Sequence, residues 1–213
     1  MNPKVFISGA SSGIGEHLAY CYARQKAIIG ICARRKDKLK KVAEKCKEIG
    51  ASCFVYVVDV TDTKQTSKMC SQFIKDAGGI DIVIANAGIG SPDAIGKGDA
   101  LVVNNILKTN ILGVTNVVIP FIPKLKDSKA GRIAIISSVA SFIHIPFHGA
   151  YSGSKVAVKY LSYSWRVSLM KYNIKVSAIC PGFIKSEMTN NKDYRQPFFM
   201  DTDIAAKKIK LAI

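Results

Sequence analysis

The chain has 213 residues, of which 48% are hydrophobic and 22% charged, enough apolar material for one sizeable core and too much for a disordered chain. Thirty-one basic residues against fifteen acidic ones leave a net charge of +16, which raises nucleic acid and anionic membrane surfaces as partners to be weighed. No apolar run approaches the ~18 residues of a membrane helix, the strand pattern that starts at the N-terminus leaves no room for a signal peptide, and six scattered cysteines without a CxxC pair or metal-ligand spacing read as reduced thiols of a cytoplasmic protein.

Taken in order, short apolar strands alternate with amphipathic helices. Lys4–Ser8 is a strand, Gly13–Gln25 a helix, and Ala27–Ala33 a second strand. A basic helix follows and ends at Gly50. Its run Arg34–Lys47 sets Leu39, Val42, Ala43 and Cys46 at helical spacing, which makes the lysines a solvated face. It has no interleaved aromatics to stack on bases, so no nucleic-acid or membrane partner is expected. Ser52–Val58 and Ile80–Ala85 are strands around a helix at Thr63–Ala77. A helix from Asn104 to Leu125 should end or bend at Pro120 and Pro123. Gly131–Ser137 and Ile174–Cys180 are strands flanking a long helix, Gly149–Tyr172. A last helix, Asp201–Ile213, has Asp201 or Thr202 as its cap. Buried strands alternating with helices predict an α/β fold, one three-layer domain over residues 1–213 with a doubly wound parallel sheet.

In such a sheet ligands lie outside the carboxyl ends of the strands. The first end reads Ser8-Gly9-Ala10-Ser11-Ser12-Gly13-Ile14-Gly15. Glycines there permit a tight turn and the approach of a pyrophosphate to helix N-terminal amides, although tight turning alone would also use them. About 20 residues on, an acid would favour NAD. The second strand instead ends in Arg34-Arg35, whose guanidiniums suit a 2′-phosphate unless they merely continue the basic helix face. This favours NADP over NAD. Asp59-Val60 closes the third strand where an adenine edge would lie, or Asp59 simply caps the next helix. Tyr151 and Lys155 stand four apart on one helical face. An ammonium beside a phenol, whose free pKa is about 10, favours the phenolate and makes a usable acid/base.

The set Ser8-Gly9-x3-Gly13-Ile14-Gly15, Asn86-Ala87-Gly88, Asn110, Ser138, Tyr151-x3-Lys155 and Pro181-Gly182 resembles the short-chain dehydrogenase/reductase family, in its compact single-domain branch, over nearly the whole chain. The resemblance implies a Rossmann fold and an oxidoreductase. Tyr151 matches the tyrosine that protonates a carbonyl oxygen or deprotonates an alcohol, and Lys155 the lysine that binds the nicotinamide ribose and lowers the tyrosine pKa. Ser138 matches the serine that hydrogen-bonds the substrate oxygen, and Asn110 the asparagine of a water-linked proton relay. Gly9, Ser11, Ser12, Gly13, Ile14 and Gly15, the Asn86–Gly88 turn, and Pro181-Gly182 with Thr189 match cofactor contacts. The resemblance also implies a small-molecule substrate and a homodimer or homotetramer built through the Asn104–Leu125 and Gly149–Tyr172 helices.

Two departures from the family pattern are mild: Ser8 replaces a threonine but keeps the hydroxyl, and Ala85 replaces an asparagine. The third is the chain end at Ile213, where family members usually continue into a seventh strand. Further residues or a partner chain are therefore expected over the edge of the sixth strand. Phe183, Ile184, Met188, Tyr194, Phe198, Phe199 and Met200 would form a mobile lid over an apolar substrate or packing for the last helix. His144 and His148 read as loop histidines and His17 as a helix-surface residue. The expected function is an NADP-dependent reductase of ketones or aldehydes; the alternative is a catalytically silent dinucleotide-binding sensor or scaffold.

Overall fold

The computed structural model describes residues 2–93, 95–128, 130–189 and 197–213. Six parallel strands form one sheet: β1 (Lys4–Ser8), β2 (Ile28–Ala33), β3 (Ser52–Val57), β4 (Ile82–Ala85), β5 (Arg132–Ile136) and β6 (Lys175–Ile179), in the order β3-β2-β1-β4-β5-β6. β1 pairs with β2 on one side and β4 on the other, with Ile7 opposite Ile31 and Ile84. The winding reverses there, which opens a crevice at the carboxyl ends of β1 and β4.

Alternation along the strands supplies both faces. Val5 and Ile7 join a core under α1 (Gly13–Ala23), α2 (Lys36–Glu48) and α6 (Thr202–Ala212). Phe6 joins the opposite core, under α3 (Thr63–Ala77), α4 (Leu101–Leu125) and α5 (Gly149–Met170). There the rings of Phe73 and Phe121 pack 5.3 and 5.0 Å from that of Phe6. A Cβ on Gly30 would fall 2.5 Å from Phe73, so β2 has no side chain at this point. On α2 the buried residues are Leu39, Val42, Ala43 and Cys46, leaving the lysines in water. α3 starts on Asp62, which accepts from Gln65 N at 2.9 Å.

Two expectations change. The helix α4 begins earlier than expected, at Leu101, and its α-helical turns stop at Val118, where Pro120 interrupts them as the sequence predicts, before the helix resumes over Ile122–Leu125. The Pro120 nitrogen, having no proton to give, falls in a 3₁₀ turn at Ile119–Phe121, and Pro123 falls in the first turn of the segment after it, where a missing N–H is tolerated. Secondly, α4 is long and apolar enough to cross a membrane by length and composition, with mean hydropathy 1.4 over its best window. Counting uninterrupted apolar runs missed it because Asn104, Asn105, Lys108, Asn110 and Asn116 punctuate it. Its Ile106, Asn110, Val117, Val118, Phe121 and Leu125 are buried, while Leu101, Leu112 and Ile119 are exposed. At the last helix Asp201 holds the extended cap conformation without a side-chain capping bond, and Thr202 donates to Lys185 O instead.

Candidate functional site

The turn from β1 into α1 passes through Gly9 and Gly13 at φ +66° and +60°, backbone that side chains rarely adopt. A Cβ on Gly9 would lie 2.6 Å from Ala87 Cα, so the turns after β1 and β4 touch backbone to backbone. Asn86 bolts them together: its amide donates to Ser8 O and Gly9 O, both at 3.0 Å. The Ser8 hydroxyl accepts from Asn86 N and Ala87 N at 3.0 and 3.1 Å. Ala85, lacking the family's asparagine amide, is buried in the core.

At one end of the crevice Arg35 lies against the glycine turn. Its Nε and Nη2 donate to Ser11 Oγ at 3.1 and 2.8 Å, and Nη2 also to Ser12 Oγ at 2.7 Å. Arg35 and Lys38 both pair with Glu187, reached from the far end of the chain. These two cations, Lys38 first, hold the Glu187 carboxyl down at about 2. Arg34 Nη1 stands 3.7 Å from Asp59 Oδ2. Asp59 also accepts from Thr61 N and Thr61 Oγ1 at 2.9 and 2.8 Å. Burial pushes its carboxyl up, but the Thr61 donors and Arg34 outweigh that and leave it below its ordinary value. Val60 is buried beside Gly113, and its carbonyl accepts from Asn116 at 2.9 Å.

At the other end, Lys155 is 5% exposed and donates to Ile136 O at 2.9 Å. Burial lowers its pKa from 10.5 to about 8, against a small opposing pull from Cys180. Its Nζ is 5.6 Å from the centre of the Tyr151 ring. Ser137 donates to Lys155 O at 2.8 Å and so ties β5 to α5. Ser138 caps a short 3₁₀ turn, Val139–Ser141, accepting from Ala140 N at 3.1 Å. Asn110 sits in a π turn of α4, Lys108–Leu112, an irregularity that often marks a functional position. Its Oδ1 accepts from Ile89 N at 2.8 Å, while Nδ2 donates to Ile89 O at 2.9 Å and Ser154 Oγ at 3.0 Å.

One cleft of about 500 Å³ joins the two ends. It is lined by every site residue named from the sequence except Gly15 and Asn110, which sit behind its wall. Gly15 is small for a reason: a Cβ there would meet Asn86 Nδ2 at 2.5 Å. Pro181 O accepts from Val139 N at 2.9 Å, holding the Pro181-Gly182 wall to the Ser138 turn. Thr189 Oγ1 donates to Ile184 O at 2.6 Å and accepts from Ser186 N at 3.0 Å within its own turn. The lid segment divides. Ile184 is buried and bridges to Met200, Met188 lines the cleft, and Phe198 is 96% exposed. Tyr194 lies outside the described residues. His144, His148 and His17 do not line the cleft; His17 Nδ1 is 2.9 Å from Gly13 O, within α1.

Sequence reasoning missed Lys38 and Glu187, which meet across 149 residues, and also Asp93, Ser137 and Ser154. The serines sit next to named residues, a usable signal. For Glu187 and Asp93 no local pattern existed.

The residues present fit a dinucleotide: left-handed glycines at a helix start, room where Cβ atoms would obstruct, and paired cations at one end. The family model for short chain dehydrogenases matches residues 3–197. An uncharacterized oxidoreductase of Myxococcus xanthus is 32% identical over 201 residues, covering 94% of this chain and 79% of that protein. An 11-beta-hydroxysteroid dehydrogenase-like 2 protein of Arabidopsis thaliana is 36% identical over 189 residues, and the chain spans 60% of its length. Among solved structures, a short-chain type dehydrogenase/reductase from Mycobacterium marinum superposes with TM-score 0.91 at 29% identity, covering 97% of this chain and 86% of that one. An alcohol dehydrogenase from Thermococcus sibiricus, complexed with 5-hydroxy-NADP, gives TM-score 0.89 at 25% identity, covering 99% and 89%.

Proposed function

The chain belongs to the short-chain dehydrogenase/reductase family of oxidoreductases, and on that premise we propose that it reduces an apolar ketone or aldehyde with NADPH. The carrying observation is that Tyr151, Lys155 and Ser138 line one cleft with the glycine turn and Arg35. In this reading Gly9–Gly15, Asn86–Gly88, Pro181-Gly182 and Thr189 hold the dinucleotide, with Asp59 and Val60 at its adenine. Arg34, Arg35, Ser11 and Ser12 hold the 2′-phosphate. Once bound, the nicotinamide supplies the hydride.

The chain's own residues handle the proton. Ser138 orients the carbonyl oxygen by hydrogen bonding, and the Tyr151 phenol gives its proton to that oxygen. Lys155, dry and held by Ile136 O, presents a cation that favours the phenolate left behind. Asn110 fixes Ile89 and Ser154 around that cation and would seat the water through which the proton is replaced. The apolar residues Ile89, Ile184 and Met188 in the cleft lining support an apolar substrate. The exposed faces of α4 and α5, with Leu112, Ile119, Tyr160 and Val167, support a homodimer or homotetramer. The reduced thiols support a cytoplasmic location.

The test is NADPH oxidation, followed by absorbance, against a panel of aliphatic, alicyclic and aryl ketones and aldehydes. Turnover of an apolar member with NADPH, and slower turnover with NADH, is expected. Equal dissociation constants for NADPH and NADH by calorimetry would overturn the cofactor preference, and no turnover across the panel would overturn the reductase reading.

A further inference from the structure

One buried carboxylate has no part in the chemistry above. Asp93, in the loop leaving the Asn86–Gly88 turn, is 7% exposed. Its Oδ1 and Oδ2 accept from Ala150 N at 3.2 and 3.1 Å, and its own N–H donates to Phe147 O at 2.7 Å. The helix that carries Tyr151 has no cap of its own, since His148 precedes it without a side-chain capping bond. An amide left open at the start of α5 is therefore satisfied from 57 residues away. The other end of the same loop is fastened to the same helix, through Ile89, Asn110 and Ser154. Between the two ties lies Gly90, where a Cβ would come 3.1 Å from Tyr151 Cδ2. The loop is thus pinned to α5 at Ala150 and Ser154, on either side of Tyr151, and lies along its ring.

We propose that Asp93 is a positioning residue for Tyr151, its carboxylate fixing the first turn of α5 so that the phenol stands in the cleft beside Lys155. The proposal rests on the proton-donor reading of Tyr151. A charge-assisted bond to the positive end of a 22-residue helix is a strong local tie, and a misplacement of about 1 Å can cost on the order of 10² in rate. Gly149 offers a second way to disturb the same contact: a Cβ there would meet Asp93 Oδ2 at 3.0 Å.

The experiment compares Asp93→Ala, Asp93→Asn and Gly149→Ala in the full chain. NADPH affinity is read by calorimetry, and turnover with the ketone panel. The Tyr151 ring resonance is followed in ¹³C-tyrosine-labelled protein, assigned by its loss in Tyr151→Phe. Asp93→Ala should lower kcat about tenfold and shift the Tyr151 resonance, with NADPH affinity within about twofold of the parent. Asp93→Asn, whose amide oxygen still accepts, should recover most of both effects. Adding Gly149→Ala to Asp93→Ala should cost nothing further, because the two act on one contact. An unmoved Tyr151 resonance in Asp93→Ala, or equal rates for the Ala and Asn variants, would overturn the proposal. Should Asp93→Ala fail to fold, Gly149→Ala decides, since it must then shift the resonance. A parent that reduces no ketone removes the reductase reading, while the resonance still reports whether Asp93 places Tyr151.

Discussion

At the Tyr151 end of the cleft Asn110 and Ser154 are fully buried and Lys155 is 5% exposed. Their hydrogen bonds end on backbone groups or neutral side chains. At the Arg35 end the side chains of Arg34, Arg35 and Glu187 are 66%, 43% and 51% exposed, and full charges meet in water. A dry, satisfied network fixes geometry, even though it keeps a cation where solvent cannot stabilise it. Exposed ion pairs contribute little individually and exchange partners readily. In the proposed function the contrast would separate two tasks: placing a proton donor to a fraction of an ångström, and taking up and releasing a charged ligand.

The largest effect should come from the dry end. Tyr151→Phe keeps the ring and removes the proposed proton donor, so kcat should fall about 10²–10⁴-fold with NADPH affinity retained. Steady-state rates and calorimetry on the same preparation check this, and turnover within a few-fold of the parent would refute the assignment.

Lys155→Met tests what the dry end costs. Below pH 8 the folded chain holds a buried cation whose pKa has dropped from 10.5 to about 8. Between these values the folded state releases its proton before the unfolded state does, so this penalty fades as pH rises from 8 to 10.5. The variant should lose turnover. At pH 7 its cofactor-free form should gain up to about 3 kcal/mol, less roughly 1 kcal/mol for the lost bond to Ile136 O. Urea unfolding at pH 7 and pH 10 should show the gain shrinking at the higher pH.

The wet end should respond in affinity rather than rate. Arg35→Ala removes charge-assisted contacts worth roughly 1.5–3 kcal/mol each before desolvation, so NADPH should bind about tenfold or more weakly. NADH should change little, and calorimetry with both cofactors reads the difference. The smallest effect belongs to Glu187→Gln. It removes an anion that competes for Arg35 and Lys38, so NADPH should bind a few-fold more tightly, and the gain should vanish near 1 M salt, where the Debye length falls to about 3 Å.

Legibility in the sequence follows the same division. The glycine turn, the alternating strands and helices, and the four-residue spacing of Tyr151 and Lys155 are local patterns. Strand and helix periods and left-handed turns leave a mark within a few residues, and the sheet was predictable from them. Helix α4 shows how far local rules reach: the prolines at 120 and 123 predict an end or a bend, and the α-helix does give way to a 3₁₀ turn at Ile119–Phe121, while its resumption to Leu125 goes with the burial of Val117, Val118, Phe121 and Leu125. Arg35 was legible as a charge at a strand end. That Glu187 would meet it, across 152 residues, was not.

The sequence by itself determined the element order, the doubly wound sheet and the residue types gathered at the strand ends, because each depends on neighbours within a turn or a strand. Only the tertiary structure decided that Asn110 holds Ile89 and Ser154 behind the cleft wall, and that Asp93 caps the helix of Tyr151. It alone brought Glu187 to the paired cations. Those contacts join segments that share no periodicity, and they exist because packing the two helical layers on one sheet brings distant loops to the same strand ends.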